Sequence, residues 1–179
     1  MKKGFAEPER RGEIPFRSPD SGTKEDERWM EIALEEARLA AAEGEVPVGA
    51  VLLWQNSVIA RNHNQPIARH DPTAHAEILV IREASEIMKN YRLTGMVLYV
   101  TLEPCIMCAG AILQARLARL VYGAGDPKGG AVSSVYRVLQ DSRLNHVVEV
   151  TGGVLSAPCA EILSGFFQEK RITSGTPNG

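Results

Sequence analysis

Two short stretches of the sequence carry side chains that can hold a metal ion and move protons. The first contains His75 and Glu77, and the second contains Cys105 and Cys108. One imidazole and two thiolates fill three corners of a zinc tetrahedron and leave the fourth for water, whereas a structural zinc site normally closes that corner with another Cys or His. The residue types therefore predict a catalytic metal site whose ligands are His75, Cys105 and Cys108.

Glu77 supplies the proton-transfer group that such a metal site needs. Two thiolates neutralise the formal charge of Zn²⁺, so we expect the metal to acidify water less than an all-histidine site would. A base beside the metal is then required. The Glu77 carboxylate can take a proton from the attacking water and hand it on to the substrate. We therefore predict that Glu77 is the catalytic residue.

Neither of the two motifs is specific when it is taken alone. A lone C-x-x-C also occurs in redox pairs and in one half of a structural zinc site, and H-x-E arises by chance in many helices. The sequence has no second C-x-x-C, and Cys159 lies far along the chain. Both motifs in this order favour a catalytic site. Mixed nitrogen and sulfur ligands favour zinc, although ligand type alone also permits iron.

The remaining histidines lack a partner at ligand spacing, so we expect ordinary polar or core roles for His63, His70 and His146.

The first helix is predicted from its N-cap and its apolar face. Thr23 suits the N-cap position, with Asp26 three residues later, and Gly44 suits the end of the helix. The predicted apolar face consists of Trp29, Ile32, Ala33, Leu34, Ala37 and Ala40.

A hairpin and a second helix are predicted next. Residues 46–54 and 57–61 are apolar runs around a short polar turn, which is typical of a β-hairpin. Asp71 followed by Pro72 predicts an N-cap and the first residue of a helix that runs to about Lys89. The side chains expected to be buried in this helix are Ile78, Ile81, Ala84 and Ile87.

The second half of the chain alternates strands and helices. The predicted elements are a strand at 96–102, a helix from Pro104 to about Ala115, a strand at 117–122, a glycine-rich loop at 123–130, a short helix at 134–139, a strand at 147–151 and a helix at 157–172. Strands separated by helical crossovers form mostly parallel sheets covered by helices on both faces. With the opening hairpin, the sequence predicts a mixed sheet of about five strands.

These elements must bring the two motifs to one point. Cys105 and Cys108 are three residues apart and share a helix face, so one ion can reach both. His75 and Glu77 are two residues apart and would diverge on the side of a helix. We therefore expect the helix to approach the metal with its first turn, where its partial positive charge also favours a Cys105 thiolate.

Composition and charge restrict the class of protein. The chain has 179 residues, 44% of them hydrophobic, which suits one globular domain at 23–172 between a flexible extension at 1–22 and a short tail at 173–179. The net charge of −2 means that any RNA contact must come from a local patch. We find no signal peptide, no membrane-spanning run and no disulfide partner for Cys159, and we therefore expect a cytoplasmic protein without membrane association.

Three longer runs carry a resemblance to a known family. They are EVPVGAV at 45–51, HDPTAHAEI at 70–78 and YVTLEPCIMCAGA at 99–111. The pattern H-x-E followed by P-C-x-x-C is the signature of zinc-dependent base deaminases. The flanking runs are more specific, and from about Trp29 to Arg171 the sequence resembles the bacterial tRNA-specific adenosine deaminases of the cytidine deaminase-like superfamily.

The resemblance implies a fold, an activity and partners. The fold would be the three-layer α/β/α cytidine deaminase-like fold with a five-stranded mixed sheet. The activity would be zinc-dependent conversion of adenosine to inosine at the wobble position of an arginine tRNA anticodon, by a homodimer with one zinc ion per subunit. The base must leave its stack, which costs less in a loop than in a paired region.

The resemblance also implies roles for individual residues. Asn64 would bind the purine, and the Ala76 backbone with Glu77 would bind its reactive edge. The backbone N–H at Cys105 would face the reacting oxygen. Val46 and Pro47 would form part of the base pocket. Asp126 would lie on a loop near the RNA backbone.

The last helix gives a further indication of an RNA surface. Phe166 and Lys170 are four residues apart, as are Phe167 and Arg171, so aromatic and basic groups lie together. Such pairs suit stacking on loop bases with charge support for phosphate. We expect one phenylalanine to pack into the core and the other to face RNA.

Two other functions stay open from the sequence. The same zinc chemistry serves deaminases of free bases or nucleosides such as cytosine or guanine. A catalytically silent, zinc-containing RNA-binding subunit is the third candidate, and the presence of Glu77 argues against it. Residues 131–137, AVSSVYR, depart from the Gly-Ser-Leu pattern of the tRNA enzymes at a segment that borders their substrate entrance.

Overall fold

The computed structural model describes residues 23–174, with side chains to residue 172. The predicted extension at 1–22 and residues 175–179 of the predicted tail lie outside the described residues, and the domain limits stay predictions. The described elements are α1 (Lys24–Ala42), β1 (Gly49–Trp54), β2 (Ser57–His63), α2 (Pro66–Arg69), α3 (Ala76–Met88), β3 (Val97–Leu102), α4 (Ile106–Gln114), β4 (Arg119–Ala124), a 3₁₀ turn (Val138–Gln140), β5 (Glu149–Thr151) and α5 (Ser156–Ser174).

The five strands form one mixed sheet in the order β2-β1-β3-β4-β5. β1 pairs antiparallel with β2 and β3, and β3, β4 and β5 run parallel. The prediction of a five-stranded mixed sheet is therefore confirmed. Because β3 and β4 are parallel, the segments that leave them, including the one with Cys105, start at the same edge.

Helices cover both faces of this sheet. α1 and α5 enclose an apolar cluster that includes Trp29, Leu34 and Val51, and α3 and α4 pack on the other face around residues such as Val80 and Ile112. Alternate residues of each strand reach opposite faces, since side chains alternate along a strand. The three-layer α/β/α fold is confirmed.

The predicted hairpin and first helix are present. Gln55 and Asn56 form the two-residue turn between β1 and β2 with φ of 50° and 59°, which matches the right-handed twist of paired strands. Thr23 caps α1 by accepting the Asp26 N–H at 3.1 Å, while the Asp26 carboxylate accepts the Thr23 N–H at 3.0 Å. Both features depend on neighbouring residues alone, which is why the sequence reveals them.

The predicted start of α3 at Pro72 is wrong by four residues. The Asp71 carboxylate accepts the Thr73 N–H at 2.8 Å and the Thr73 hydroxyl at 2.7 Å, which closes a tight turn ahead of the helix. α3 begins at Ala76, and its predicted end at Lys89 is confirmed by the left-handed cap there. Ile87 is 55% exposed, so its predicted burial is wrong.

Three further elements differ from the prediction. α4 begins at Ile106, so Pro104 precedes the N-cap and does not form the first helical residue. The short helix α2 lies between the predicted hairpin and Asp71, where the sequence predicts no helix or strand. Turns and the 3₁₀ segment replace the predicted helix at 134–139.

Within residues 23–174, no helix is both long and apolar enough to cross a membrane.

Candidate metal centre

The first turns of α3 and α4 meet at the proposed metal site. His75 is the N-cap of α3 and Cys105 is the N-cap of α4, and neither helix has a side-chain cap. Glu77 lies in the first turn of α3, and Cys108 lies in the first turn of α4. Both motifs therefore sit at positively polarised helix ends, which favour anionic groups.

Three donor atoms converge at the spacing that zinc requires. His75 Nδ1 lies 3.8 Å from Cys105 Sγ and 3.6 Å from Cys108 Sγ, and the two sulfurs are 3.7 Å apart. Ordinary Zn–S and Zn–N bonds at tetrahedral angles place two sulfurs about 3.8 Å apart and a nitrogen and a sulfur about 3.6 Å apart. This His/Cys/Cys group can hold a metal ion.

The two cysteines are thiols and not a disulfide. Their separation is far longer than a sulfur–sulfur bond of about 2.05 Å. Hydrogen bonding to Cys108 is the largest cause that lowers the pKa of Cys105, to about 3, and the same contact with burial raises the pKa of Cys108. A bound dication would favour the thiolate at both positions, since a coordinated thiol is deprotonated.

Glu77 is buried beside these donors. It is 3% exposed, and its Oε2 atom has no hydrogen-bond partner among the described residues. Burial raises the pKa of the carboxyl, against the opposing effect of its own backbone hydrogen bond and the nearby His75 ring. A raised pKa suits this carboxyl to accept a proton and to return it.

Asn64 joins the start of α3 to the end of β2. Its buried side-chain oxygen accepts the Ala76 N–H at 2.9 Å, and its backbone N–H donates to Val48 at 3.0 Å. The segment before β1 contains the half-buried Val46 and the buried Pro47. The structure thus links Asn64 to Ala76 and to the segment that contains Val46 and Pro47, and the contacts of these four residues with a purine stay predictions.

Asp126 lies in the loop after β4. Its carboxylate accepts the Lys128 N–H at 3.0 Å and the Gly129 N–H at 3.1 Å, so it closes its own turn. Gly130 of this loop forms an antiparallel bridge with Cys105. Asp126 is therefore close in the fold to the metal ligands, and its proposed contact with RNA stays a prediction.

The aromatic and basic residues of α5 form a separate cluster. The rings of Phe166 and Phe167 are 5.6 Å apart and nearly perpendicular. Lys170 Nζ lies 5.3 Å from the centre of the Phe166 ring, and Arg171 Nε donates to the Phe167 carbonyl oxygen. Phe166 is half-buried and Phe167 is 44% exposed, so neither ring is in the core as we expected of one. α5 belongs to the other helical layer from α3 and α4.

The other histidines do not join the metal group. His63 pairs with Glu36 at 2.9 Å and with Glu43 at 3.2 Å, and His146 Nε2 lies 2.7 Å from the Leu117 carbonyl oxygen. The predicted polar roles of these two histidines are confirmed. His70 is an exposed residue that ends α2 in a left-handed conformation.

Sequence reasoning missed Glu103, a buried carboxylate next to the second motif. Its side chain accepts hydrogen bonds from the loop after β4. An acidic residue between a buried strand and a proline is the one signal that the sequence offers. That signal does not reveal the loop, because the partners lie more than twenty residues away along the chain.

Comparisons with known proteins identify the family of this chain. The MafB19-like deaminase family matches residues 24–171. A tRNA-specific adenosine deaminase of Haemophilus influenzae is 51% identical over 147 residues, which cover 82% of this chain and 85% of that protein. A structure from a study of A-to-I editing by tRNA deaminases at the wobble position is 52% identical, with a TM-score of 0.74 over 76% of this chain and 99% of that one. The guanine deaminase of Nitrosomonas europaea is 25% identical, with a TM-score of 0.68 over 78% of this chain and 83% of that one. Through these matches, the chain belongs to the family of tRNA-specific adenosine deaminases and carries a MafB19-like deaminase domain.

Proposed function

We propose that this chain is a zinc-dependent enzyme that converts adenosine to inosine at the wobble position of a tRNA anticodon, with an arginine tRNA as substrate. The observation that carries the proposal is the triangle of His75, Cys105 and Cys108 beside Glu77, whose Oε2 atom has no hydrogen-bond partner in the described part of the chain. The identity with tRNA-specific relatives, about twice that with the guanine deaminase, supports the RNA substrate.

The residues at the site suit hydrolysis at C6 of adenine. His75, Cys105 and Cys108 would hold a zinc ion, which would lower the pKa of a water molecule and so supply a nucleophile near neutral pH. Glu77 would accept a proton from the attacking water and would return protons to the ring nitrogen and then to the leaving amino group. The C6–O bond forms and the C6–N bond breaks, so that water and adenosine give inosine and ammonia. Its raised pKa suits Glu77 to hold the proton between these transfers.

Residues at the start of α3 would orient the purine. The Asn64 oxygen is engaged by Ala76, so its amide nitrogen is the group that would donate to the base. Val46 and Pro47 would supply apolar contacts for the ring. A buried hydrogen-bonding group of this kind discriminates between bases, because a base without the matching acceptor leaves it unpaired.

The cluster on α5 would bind the anticodon loop. Phe167 presents an exposed ring for base stacking, and Phe166, Lys170 and Arg171 add apolar surface and charge for phosphate. Asp126 would approach the RNA backbone from the loop after β4. These contacts would place the wobble base in the pocket after it leaves its stack.

We also propose a cytoplasmic homodimer. A groove of about 300 Å³ between α3 and α4 is lined by apolar side chains, among them Ile78, Ile81 and Ala111, together with Arg82, Ser85 and Gln114, and Tyr91 beside it is 67% exposed. A largely apolar groove with an exposed ring at its edge suits a second copy of the same chain. Free thiols at the proposed metal site suit a reducing compartment.

The test compares RNA with free bases. Ammonia release is measured for an adenosine-containing anticodon stem-loop, and for free adenosine, cytosine and guanine, with the zinc-loaded chain. We expect turnover of the stem-loop and none of the free bases. Turnover of cytosine or guanine alone would assign the chain to the deaminases of small substrates, and RNA binding without ammonia release would assign it to silent subunits.

A further inference from the structure

Glu103 is a buried carboxylate that the proposed chemistry does not use. It directly follows β3 and precedes Pro104, and it is 2% exposed. Its carboxylate accepts hydrogen bonds from backbone N–H groups of residues 126–134. The ionised side chain is therefore stabilised by one loop of the chain, which we call the 126–134 loop.

The two oxygens of Glu103 together bind both ends of this loop. Oε1 accepts the N–H groups of Val132, Ser133 and Ser134 at 3.1, 2.7 and 2.9 Å. Oε2 accepts the Asp126 N–H at 3.0 Å and the Ser134 hydroxyl. Only an ionised carboxylate has acceptors on both oxygens and no donor of its own. The pattern of donors thus requires Glu or a close equivalent at this position.

The same loop is joined to the turn that carries a metal ligand. The Ala131 N–H donates to the Pro104 carbonyl oxygen at 2.8 Å, and Gly130 forms the backbone bridge with Cys105. A Cβ atom at Gly130 would lie 2.4 Å from the carboxyl carbon of Glu103, so the close approach depends on glycine. Glu103, the loop and the Cys105 turn therefore form one packed unit.

We propose that Glu103 is a positioning residue that holds the 126–134 loop, and with it Asp126, in register with the metal ligand Cys105. The inference rests on the proposed function, because it assigns this loop to the placement of the substrate RNA. Glu103 acts through the loop and not on the reacting atoms. Its loss therefore weakens substrate binding more than it slows the chemical step.

Glu103→Gln is the sharpest variant for a test. The amide can keep its oxygen toward Val132, Ser133 and Ser134, but it then points a donor at the Asp126 N–H. We expect KM for the anticodon stem-loop to rise about tenfold while kcat stays within about twofold. Zinc content stays at one ion per chain. Hydrogen exchange should become faster at Asp126, while amides in the body of α3 keep their rates.

Asp141→Asn is the matched control. The Asp141 carboxylate binds Arg143 within its own turn and has no contact with the 126–134 loop among the described residues. This variant should keep the KM, kcat and loop exchange rates of the wild type. It removes the same charge as Glu103→Gln, so it separates the role of the hydrogen bonds from that of net charge.

The outcomes distinguish this inference from the proposed function. If the wild type does not deaminate the stem-loop, the proposed function is rejected. Hydrogen exchange at Asp126 in Glu103→Gln then still shows whether Glu103 holds the loop. An active wild type with equal KM for Glu103→Gln and Asp141→Asn overturns the inference, as does a fall in kcat alone. If Glu103→Gln does not fold, Ser134→Ala removes one donor and keeps the carboxylate. A KM increase of a few fold then supports the inference, and an unchanged KM overturns it.

Discussion

Burial of the Glu77 side chain costs free energy that the rest of the fold must offset. Its Oε2 atom finds no partner among the described residues, although native proteins pair nearly all buried polar atoms. His75, Cys105 and Cys108, the three donors of the metal site, all lie close enough to act on this carboxyl. We infer that the missing partner is a reactant, because a purely structural carboxylate would be paired or exposed.

Glu77→Gln tests this inference directly. The amide keeps the size of the side chain but cannot take up and release a proton, so kcat should fall by about 10²–10⁴-fold. Zinc content, measured by atomic absorption, should stay at one ion per chain. Glu86→Gln, an exposed change on the same helix, is the control and should keep full activity. Loss of zinc from the Glu77 variant would instead mean that this residue holds the metal.

Sequence spacing predicted the metal group because its chemistry depends on residue type. His75, Cys105 and Cys108 are recognisable without coordinates, and the structure brings them together. Residue type and spacing do not predict the hydrogen bond between Asn64 and Ala76 or the hydrogen bonds that Glu103 accepts. These hydrogen bonds join segments that only the tertiary fold brings into contact.

Hydrogen bonds to the Asp26 carboxylate connect the start of α1 to the sheet. Arg119 donates two hydrogen bonds to its carboxylate, at 2.9 and 3.0 Å, and the Tyr99 hydroxyl donates a third at 2.8 Å. Burial opposes ionisation of Asp26, but hydrogen bonds from Arg119, Thr23 and Tyr99 outweigh it and hold the pKa below the ordinary 3.8. One side chain therefore serves as a helix cap and as a bridge between α1, β3 and β4.

Asp26→Asn should lower the free energy of unfolding by about 3 kcal/mol at pH 7, because the partly buried Arg119 charge then keeps only the more distant Glu149 carboxylate, at 3.7 Å, as a partner. Because the pKa of Asp26 is lower in the folded chain than in the unfolded chain, its ionised form stabilises the fold at pH values above the unfolded pKa. This stabilisation is lost as the pH falls through the folded pKa. The gap between wild type and variant should therefore shrink from pH 7 to pH 3, as measured by urea unfolding. Glu27→Gln, an exposed change on the same helix, should show a small and constant gap. A gap that does not change with pH would show that Asp26 acts through packing alone.

The first residues of two helices are not predicted correctly by local sequence patterns. Pro72 and Pro104 both precede helices, yet in each case the helix begins later than predicted, at Ala76 and at Ile106. At the first position, the turn closed by Asp71 and Thr73 precedes the helix. At both positions the N-cap residue, His75 or Cys105, makes no side-chain cap hydrogen bond, so capping propensity does not mark where the helix begins.

Metal binding should be coupled to the stability of the whole molecule. The donors come from α3 and α4, so a bound ion joins two helices of one layer and stabilises the folded state relative to the unfolded one. Removal of zinc with a chelator should lower the melting temperature by about 5–10 °C, and added zinc should restore it. Cys108→Ala should melt at the same temperature with and without chelator. An unchanged melting temperature in the wild type would mean that the site forms without a contribution from metal.

The proposed homodimer depends on the apolar surface between α3 and α4. Tyr91 is 67% exposed at the edge of a groove lined by Ile78 and Ile81, and a second copy would remove this surface from water. Tyr91→Asp should convert a dimer into a monomer in light scattering, because the new carboxylate would be buried without a partner. Leu39→Asp places the same charge on an exposed apolar position of α1, in the other helical layer, and should leave the mass unchanged. If Leu39→Asp alone dissociates the dimer, the two copies meet through α1, and the groove between α3 and α4 is then a free surface.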